Sequence, residues 1–216
     1  MSALFSRKAD GRLKLALGLA GAAVALALGG AMFYWRSPFG TGQFHPVVQP
    51  IQFDHRHHVR DDQIDCRYCH ASVERAPSAG IPATEVCLSC HSQIWNKSPL
   101  LDRVRASWFE GRPIRWLRIH RLPDFVYFNH AIHVNKGVGC VECHGRVDRM
   151  AAVEQVQPLN MGWCLDCHRN PAPRLRPIEE ITSTTWRPPA DRAAFGAELM
   201  KRYSVHARVS CTTCHR

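Results

Sequence analysis

Cys66-Arg67-Tyr68-Cys69-His70 is the first of five Cys-x-x-Cys-His runs. The others are Cys87-Leu88-Ser89-Cys90-His91, Cys140-Val141-Glu142-Cys143-His144, Cys164-Leu165-Asp166-Cys167-His168 and Cys211-Thr212-Thr213-Cys214-His215. Together they use all ten cysteines of the chain, and every pair has its histidine. This is the attachment signature of c-type haem: two thiols form thioethers to the haem vinyl groups and the adjacent imidazole ligates the iron. Zinc ribbons take two pairs per ion and would leave the fifth pair orphaned. A disulfide framework gives no reason for a histidine after every second cysteine. A thioredoxin-like motif occurs once per domain within a βαβ pattern, which this sequence lacks. The runs therefore predict five covalently bound c-type haems. Cys66, Cys69, Cys87, Cys90, Cys140, Cys143, Cys164, Cys167, Cys211 and Cys214 supply the thioethers. His70, His91, His144, His168 and His215 supply the proximal iron ligands. Attachment of this kind is performed outside the cytoplasm, so the cysteines also report the compartment.

The N-terminus agrees with export. Residues 15–35 carry no charged side chain and follow Arg7, Lys8, Arg12 and Lys14. At about 1.5 Å per residue such a run covers roughly the 30 Å of a bilayer's hydrocarbon core. The basic flank stays cytoplasmic, which puts the rest of the chain on the periplasmic side of a bacterial inner membrane. A cleaved signal peptide is the competing reading, with Ala25-Leu26-Ala27 as a weak processing site. Met32, Phe33, Tyr34 and Trp35 continue the apolar run beyond it and suit a membrane–water boundary, which favours an uncleaved anchor. The many alanines and glycines of the segment would let it pack closely against another membrane helix.

The predicted fold is a multihaem cytochrome c: one transmembrane helix, then a mostly-α, loop-rich domain with little sheet, built around five haems. Residues 1–36 form the basic flank and anchor, 37–52 a linker, and 53–216 the pentahaem domain. About 180 residues follow the apolar run, roughly 36 per haem, too few to bury each porphyrin in its own domain. The haems must share walls and supply much of the apolar core. Scattered prolines break any long periodic run, leaving 100–109 and 190–203 as the helical stretches. The formal charge of +10 would ordinarily suggest an acidic or nucleic-acid partner. Haem propionates offset much of it, and Arg103, Arg105, Arg112, Arg115, Arg118 and Arg121 are the expected partners. Their interleaving with Trp95, Trp108 and Trp116 resembles a single-strand binding surface, a poor fit to an exported haem protein.

An internal repeat organises the domain. Phe53-x-His55-x-x-His58 precedes Cys66 and Cys87, and Phe128-x-His130-x-x-His133 precedes Cys140 and Cys164. Each two-haem module, 53–91 and 128–168, thus carries two histidines three apart, on one side of a helical turn, able to serve two irons. The fifth motif, 211–215, stands alone. The repeat nominates His55, His58, His130 and His133 as distal ligands. For the fifth, Met161 is favoured, because a thioether is a known axial ligand; His120 is the contested alternative and His206 a third. His45 and His57 read as structural.

Irons capped on both faces leave no position for a substrate, so electron transfer rather than bond-making is the expected work. No catalytic residue is nominated. Two rivals share the features: a stand-alone membrane-anchored multihaem quinol dehydrogenase, and a catalytic multihaem reductase with one vacant axial position.

The runs Phe53-Asp54-His55-Arg56-His57-His58, Ile119 through His130, and Leu159-Asn160-Met161-Gly162-Trp163-Cys164 resemble the pentahaem cytochrome c subunit of alternative complex III. That resemblance implies an electron-transfer subunit of a membrane quinol:electron-acceptor oxidoreductase. Its partners would be membrane subunits that oxidise quinol, a large periplasmic iron–sulfur subunit and a monohaem cytochrome c. Electrons would pass toward a soluble cytochrome c, another high-potential carrier or an oxidase of the respiratory chain. The family also implies one His/Met haem among bis-His haems, in agreement with Met161.

Overall fold

The alanine- and leucine-rich run between basic ends contains no proline, and its good helix formers carry the glycines into one long helix, α1 (Arg7–Arg36). The computed structural model describes residues 7–215; residues 1–6 of the basic flank, and Arg216, lie outside it. From Lys8 to Arg36 the helix is long and apolar enough to cross a bilayer, and none of its side chains in that span is buried. Tyr34 and Trp35 meet edge to face at its C-terminal end. Ser37 then accepts from Gly40 N, and Pro38 takes the first position of a one-turn helix, α2 (Pro38–Thr41), closed by Gly42 at φ +72°. The start of the expected linker is thus a capped turn, because a serine cap followed by proline favours helix over open chain. α1 and α2 make one compact unit ending at Gly42, and residues 43–216 make the second.

In the second unit every Cys-x-x-Cys-His run sits on a short helix. In chain order these and their companions are α3 (Cys66–Cys69), α4 (Thr84–His91), α5 (Asp102–Glu110), α6 (His130–Asn135), α7 (Cys140–His144), α8 (Met161–Arg169), α9 (Arg192–Arg202) and α10 (Cys211–Cys214). Local caps place their starts. Asp65 accepts from Arg67 N before α3, Asn129 from Ile132 N before α6, Asn160 from Trp163 N before α8, and Asp191 from Ala194 N before α9. Ser98 and Pro99 divert residues 99–101 into a 3-10 turn, so the helix expected from 100 begins at Asp102. In α9, Leu199 is buried while Phe195 and Tyr203 are half-buried on the same face. Among the described residues, extended pairing is limited to two isolated bridges, Gln43 with Gln155 and Val138 with Leu175.

The core is sparse. Val73 from the first module, Val134 from the second and Ile181 from the following loop form one cluster, with Ala79 and Cys140 against it. Among the described residues only seven apolar side chains are buried, far short of what ordering a domain of this length requires. Ionic groups fill part of the interior. Asp148, 2% exposed, is held by the Arg146 fork at 2.8 and 2.6 Å. Arg176, 3% exposed, donates to Glu142 at 3.1 Å and to the Ser183 carbonyl at 3.0 Å, and lies 4.8 Å over the Trp186 ring. Position 139 must be glycine here, since any Cβ would run into the Arg176 guanidinium.

Candidate haem centres

The two modules repeat in space as they do in sequence. The Phe53 ring stands edge-on to His55 at 4.8 Å and stacks on His58 at 4.4 Å. The Phe128 ring stands edge-on to His130 at 4.7 Å and stacks on His133 at 4.6 Å. In each module one phenylalanine therefore touches two histidines, one edge-on and one stacked.

Those histidines face the motif histidines. Two imidazoles bound to opposite faces of one metal, each through a bond of about 2 Å, have ring centroids about 6 Å apart. His58 and His91 are separated by 6.1 Å, His130 and His144 by 6.3 Å, and His133 and His168 by 6.0 Å. His55 lies within electrostatic reach of His70. The planes differ: His130 and His144 are almost parallel at 9°, whereas the other two pairs are crossed at 71° and 65°. This donor set, in facing pairs each beside two thiols, fits iron in a covalently held haem.

Every motif histidine has its Nδ1 engaged, which leaves Nε2 as the ligand atom. His70 donates to the Gly80 carbonyl at 2.8 Å, His91 to Ile94 at 3.0 Å, His168 to Arg208 at 2.9 Å and His215 to Phe125 at 3.2 Å. His144 instead meets His120 Nε2, at 3.3 Å. On the opposite side, His58, His130 and His133 use the carbonyls of Asp54, Pro77 and Asn129. Such partners fix ring orientation and raise ligand basicity. Burial pushes His144 down to about 3, with His120 and His130 adding to it, and holds His55 at about 4. Burial lowers His120 and His133 as well. These rings are neutral at physiological pH, with a lone pair available for a metal.

The motifs form a row. Cys69 is within electrostatic reach of Cys87 and Cys90. Cys66 neighbours Cys140. Cys143 neighbours Cys167 and Cys164, and Cys164 neighbours Cys214. Numbered along the chain, the motifs therefore run two, one, three, four, five in space, with the modules joined through their first motifs.

The fifth motif is reached by a different route. Tyr127 N donates to the Cys214 carbonyl at 2.9 Å and Phe125 receives His215, so residues 125–127 brace α10. Met161 opens α8 one turn before Cys164, and it is 67% exposed. His206 is exposed. His57 stacks on Trp95 at 5.8 Å and faces Asp61 and Asp62, and His45 Nδ1 bonds the Gln43 carbonyl.

Sequence reasoning missed two elements. Among the arginines expected to meet propionates, Arg105 already pairs with Asp102 and the Asn96 and Ser98 carbonyls. The deeply buried arginine is Arg176, in a loop without periodicity, beside motif three. Nor did the sequence indicate that His120 would stand behind a motif histidine rather than across from one; only its Arg-Leu-Pro surroundings, a rigid turn, hinted at a fixed position.

Helical Cys-x-x-Cys-His units in a sheet-poor unit with facing histidines make this a multihaem cytochrome c domain, a class whose cofactor is covalent c-type haem. Residues 126–216, which hold three of the five motifs, match the family described as cytochrome c7 and related cytochrome c. The chain is similar to the menaquinone reductase multiheme cytochrome c subunit of Nitratidesulfovibrio vulgaris, with 35% identity over 125 residues, 57% of this chain and 56% of that protein. It thus spans about half the length of this curated relative.

Proposed function

We propose that this chain is the electron-transfer subunit of a membrane quinol:acceptor oxidoreductase, carrying five covalent c-type haems. The observation that carries the reading is the set of three facing histidine pairs at 6.0–6.3 Å, each built from a motif histidine and a repeat histidine. When bound, each haem supplies a one-electron iron couple. The ten cysteines tether the five groups. His70, His91, His144, His168 and His215 hold one face, and His55, His58, His130 and His133 cap four of the opposite faces. Met161 caps the fifth: its α8 neighbour Cys164 lies within reach of Cys214, and its thioether is accessible. His120 is the weaker candidate there, since its Nε2 is already spent on His144. Capping on both faces excludes substrate from the metals and leaves transfer over short gaps as the chemistry. The motif order puts residues 87–91 and 211–215 at opposite ends of the row, a layout that suits passage between two partners.

α1 is the retained anchor, with Lys8, Arg12 and Lys14 on the cytoplasmic side and the haem domain in the periplasm. The name of the relative, a menaquinone reductase subunit, supports a quinone-linked complex. The resemblance to the pentahaem subunit of alternative complex III supplies the partners: quinol-oxidising membrane subunits, a large iron–sulfur subunit and a monohaem cytochrome c. The relative's name also favours a second reading, delivery of electrons toward menaquinone rather than away from it. Purifying the native complex tests both. The expected result is co-migration with polytopic and iron–sulfur subunits, five haems by intact mass, and rapid haem reduction by a quinol. A solitary chain, or fewer haems, overturns the proposal; reduction only from a reduced cytochrome, with quinone reoxidising the haems, selects the second reading.

A further inference from the structure

His144 differs from the other motif histidines in what holds it. Four of the five give their Nδ1 hydrogen to a backbone carbonyl, which no side-chain substitution removes. His144 gives it to an imidazole nitrogen, His120 Nε2, 3.3 Å away. The two rings are 4.3 Å apart and cross at 78°, too close for a metal to sit between them. Across from His144, at 6.3 Å and nearly parallel, stands His130. His120 is therefore behind the motif histidine, and His130 is in front of it.

His120 is held there by its own segment. Gln49 pins one side through both of its amide atoms, donating to the Leu117 carbonyl at 3.0 Å and accepting from Leu117 N at 2.9 Å. The far side is fastened to the fifth motif, where Phe125 accepts from His215 and Tyr127 N donates to Cys214. Residues 117–127 are thus a strap tied at both ends. Along it, one element reaches two motif histidines, His144 through a side chain and His215 through the backbone.

We propose that His120 is a positioning residue for motif three: as the acceptor for His144 Nδ1–H, it fixes the imidazole plane and strengthens His144 as an electron donor to iron. With His144 Nε2 as the ligand atom, its proton sits on Nδ1 and points at His120 Nε2, so His120 carries its own proton on Nδ1. An imidazole lone pair is a more basic acceptor than an amide carbonyl, so the bond gives His144 more imidazolate character than its four counterparts have. Greater donation stabilises the ferric state, which lowers the reduction potential at this one site. The row of motifs then carries a low-potential member at its middle position, set by a side chain.

The inference rests on the haem reading above, and the full-length chain purified with its native complex separates the two. Intact mass of the wild type tests the haem reading; spectroelectrochemical titration and resonance Raman spectra of variants test the positioning role. In His120→Ala every iron stays six-coordinate and low-spin. One haem's midpoint rises by about tenfold in its reduced-to-oxidised ratio, 59 mV for a one-electron couple. His120→Gln, which returns an acceptor atom near the Nε2 position, recovers more than half of that shift. A high-spin signal in His120→Ala overturns the proposal by making His120 an iron ligand, and an unchanged titration overturns it by removing any effect on His144. If His120→Ala does not accumulate, His120→Gln alone must still show a smaller rise confined to one haem, and a wild-type midpoint there rejects the role.

Discussion

His55 and His130 occupy matching positions in the two modules, but only His130 has a protein partner for Nδ1. His130 donates to the Pro77 carbonyl at 2.8 Å, whereas His55 Nδ1 is buried without a hydrogen-bond acceptor. Pro77 belongs to the first module, so the second module borrows an acceptor from the first and supplies none to His55 in return. The duplication is equal in its rings and unequal in what stands behind them.

That inequality predicts a difference in potential. An imidazole with a bonded Nδ1 donates more strongly, so the haem at Cys140, whose two candidate ligands are both bonded, titrates below the haem at Cys66. Replacing His55 or His130 by methionine marks each haem in turn, because a thioether ligand raises its potential. Redox titration of the two variants should show the His130→Met change originating from the lower midpoint.

Ring planes give an independent signature. The relative angle of two axial imidazoles controls the anisotropy of low-spin ferric iron, so crossed and parallel pairs separate in EPR. The 9° pair should give a rhombic spectrum, and the pairs at 71° and 65° the strongly anisotropic signals. Low-temperature EPR of the oxidised protein checks this, with His130→Ala removing the rhombic signal of the 9° pair and leaving the signals of the crossed pairs.

Loss of a distal ligand should be local. In His133→Ala one haem, at Cys164, becomes high-spin and five-coordinate while the remainder keep low-spin spectra. Resonance Raman spin-state markers measure the fraction converted; several high-spin haems would point to a folding defect instead.

Arg176 is the stability prediction. Arg176→Met removes one of the two arginines on Glu142, leaving Arg174 at 3.2 Å, and forfeits the Ser183 carbonyl bond, a loss of about 1.5–3 kcal/mol by denaturant unfolding. Arg169→Ala, which breaks an exposed pair with Asp166, should change stability by less than about 1 kcal/mol.

Asp65 predicts an acid limit. Burial opposes ionisation of its carboxyl, but hydrogen bonds from Arg67 and Thr182 outweigh that and hold it at about 2. A depressed carboxylate stabilises the fold above the ordinary range, near about 3.9, and loses that contribution as pH falls through its folded value. Asp65→Ala removes the cap of α3 and the tie to Thr182, costing about 1 kcal/mol at neutral pH. The gap between wild type and variant should stay constant above about pH 4 and close toward about pH 2. Thermal unfolding across that range measures it.

Covalent patterns and short periods were legible in the sequence because they are local. Cys-x-x-Cys-His names its own chemistry, and Phe-x-His-x-x-His fixes three rings within one turn, which is why Phe53 and Phe128 present such similar geometry. The long apolar helix was equally plain. What the sequence did not disclose depends on loops meeting across many residues: Arg176 on Glu142, Thr182 on Asp65, His120 on His144 and the spatial order of the motifs. Irregular chain has no period to read, and its course is set by which carbonyl finds which donor. The turn at 37–42 escaped for a smaller reason, since Ser-Pro reads equally as a linker or as a helix start.

The Cys66 and Cys140 side chains are neighbours, and that adjacency bears on the order of events during maturation. In an oxidising compartment neighbouring thiols are prone to cross-link, so a polypeptide that reached its final shape with them bare is exposed to a bridge between its two modules. On the proposed haem reading the order is the reverse: both sulfurs are modified on an open chain, and folding then closes around them.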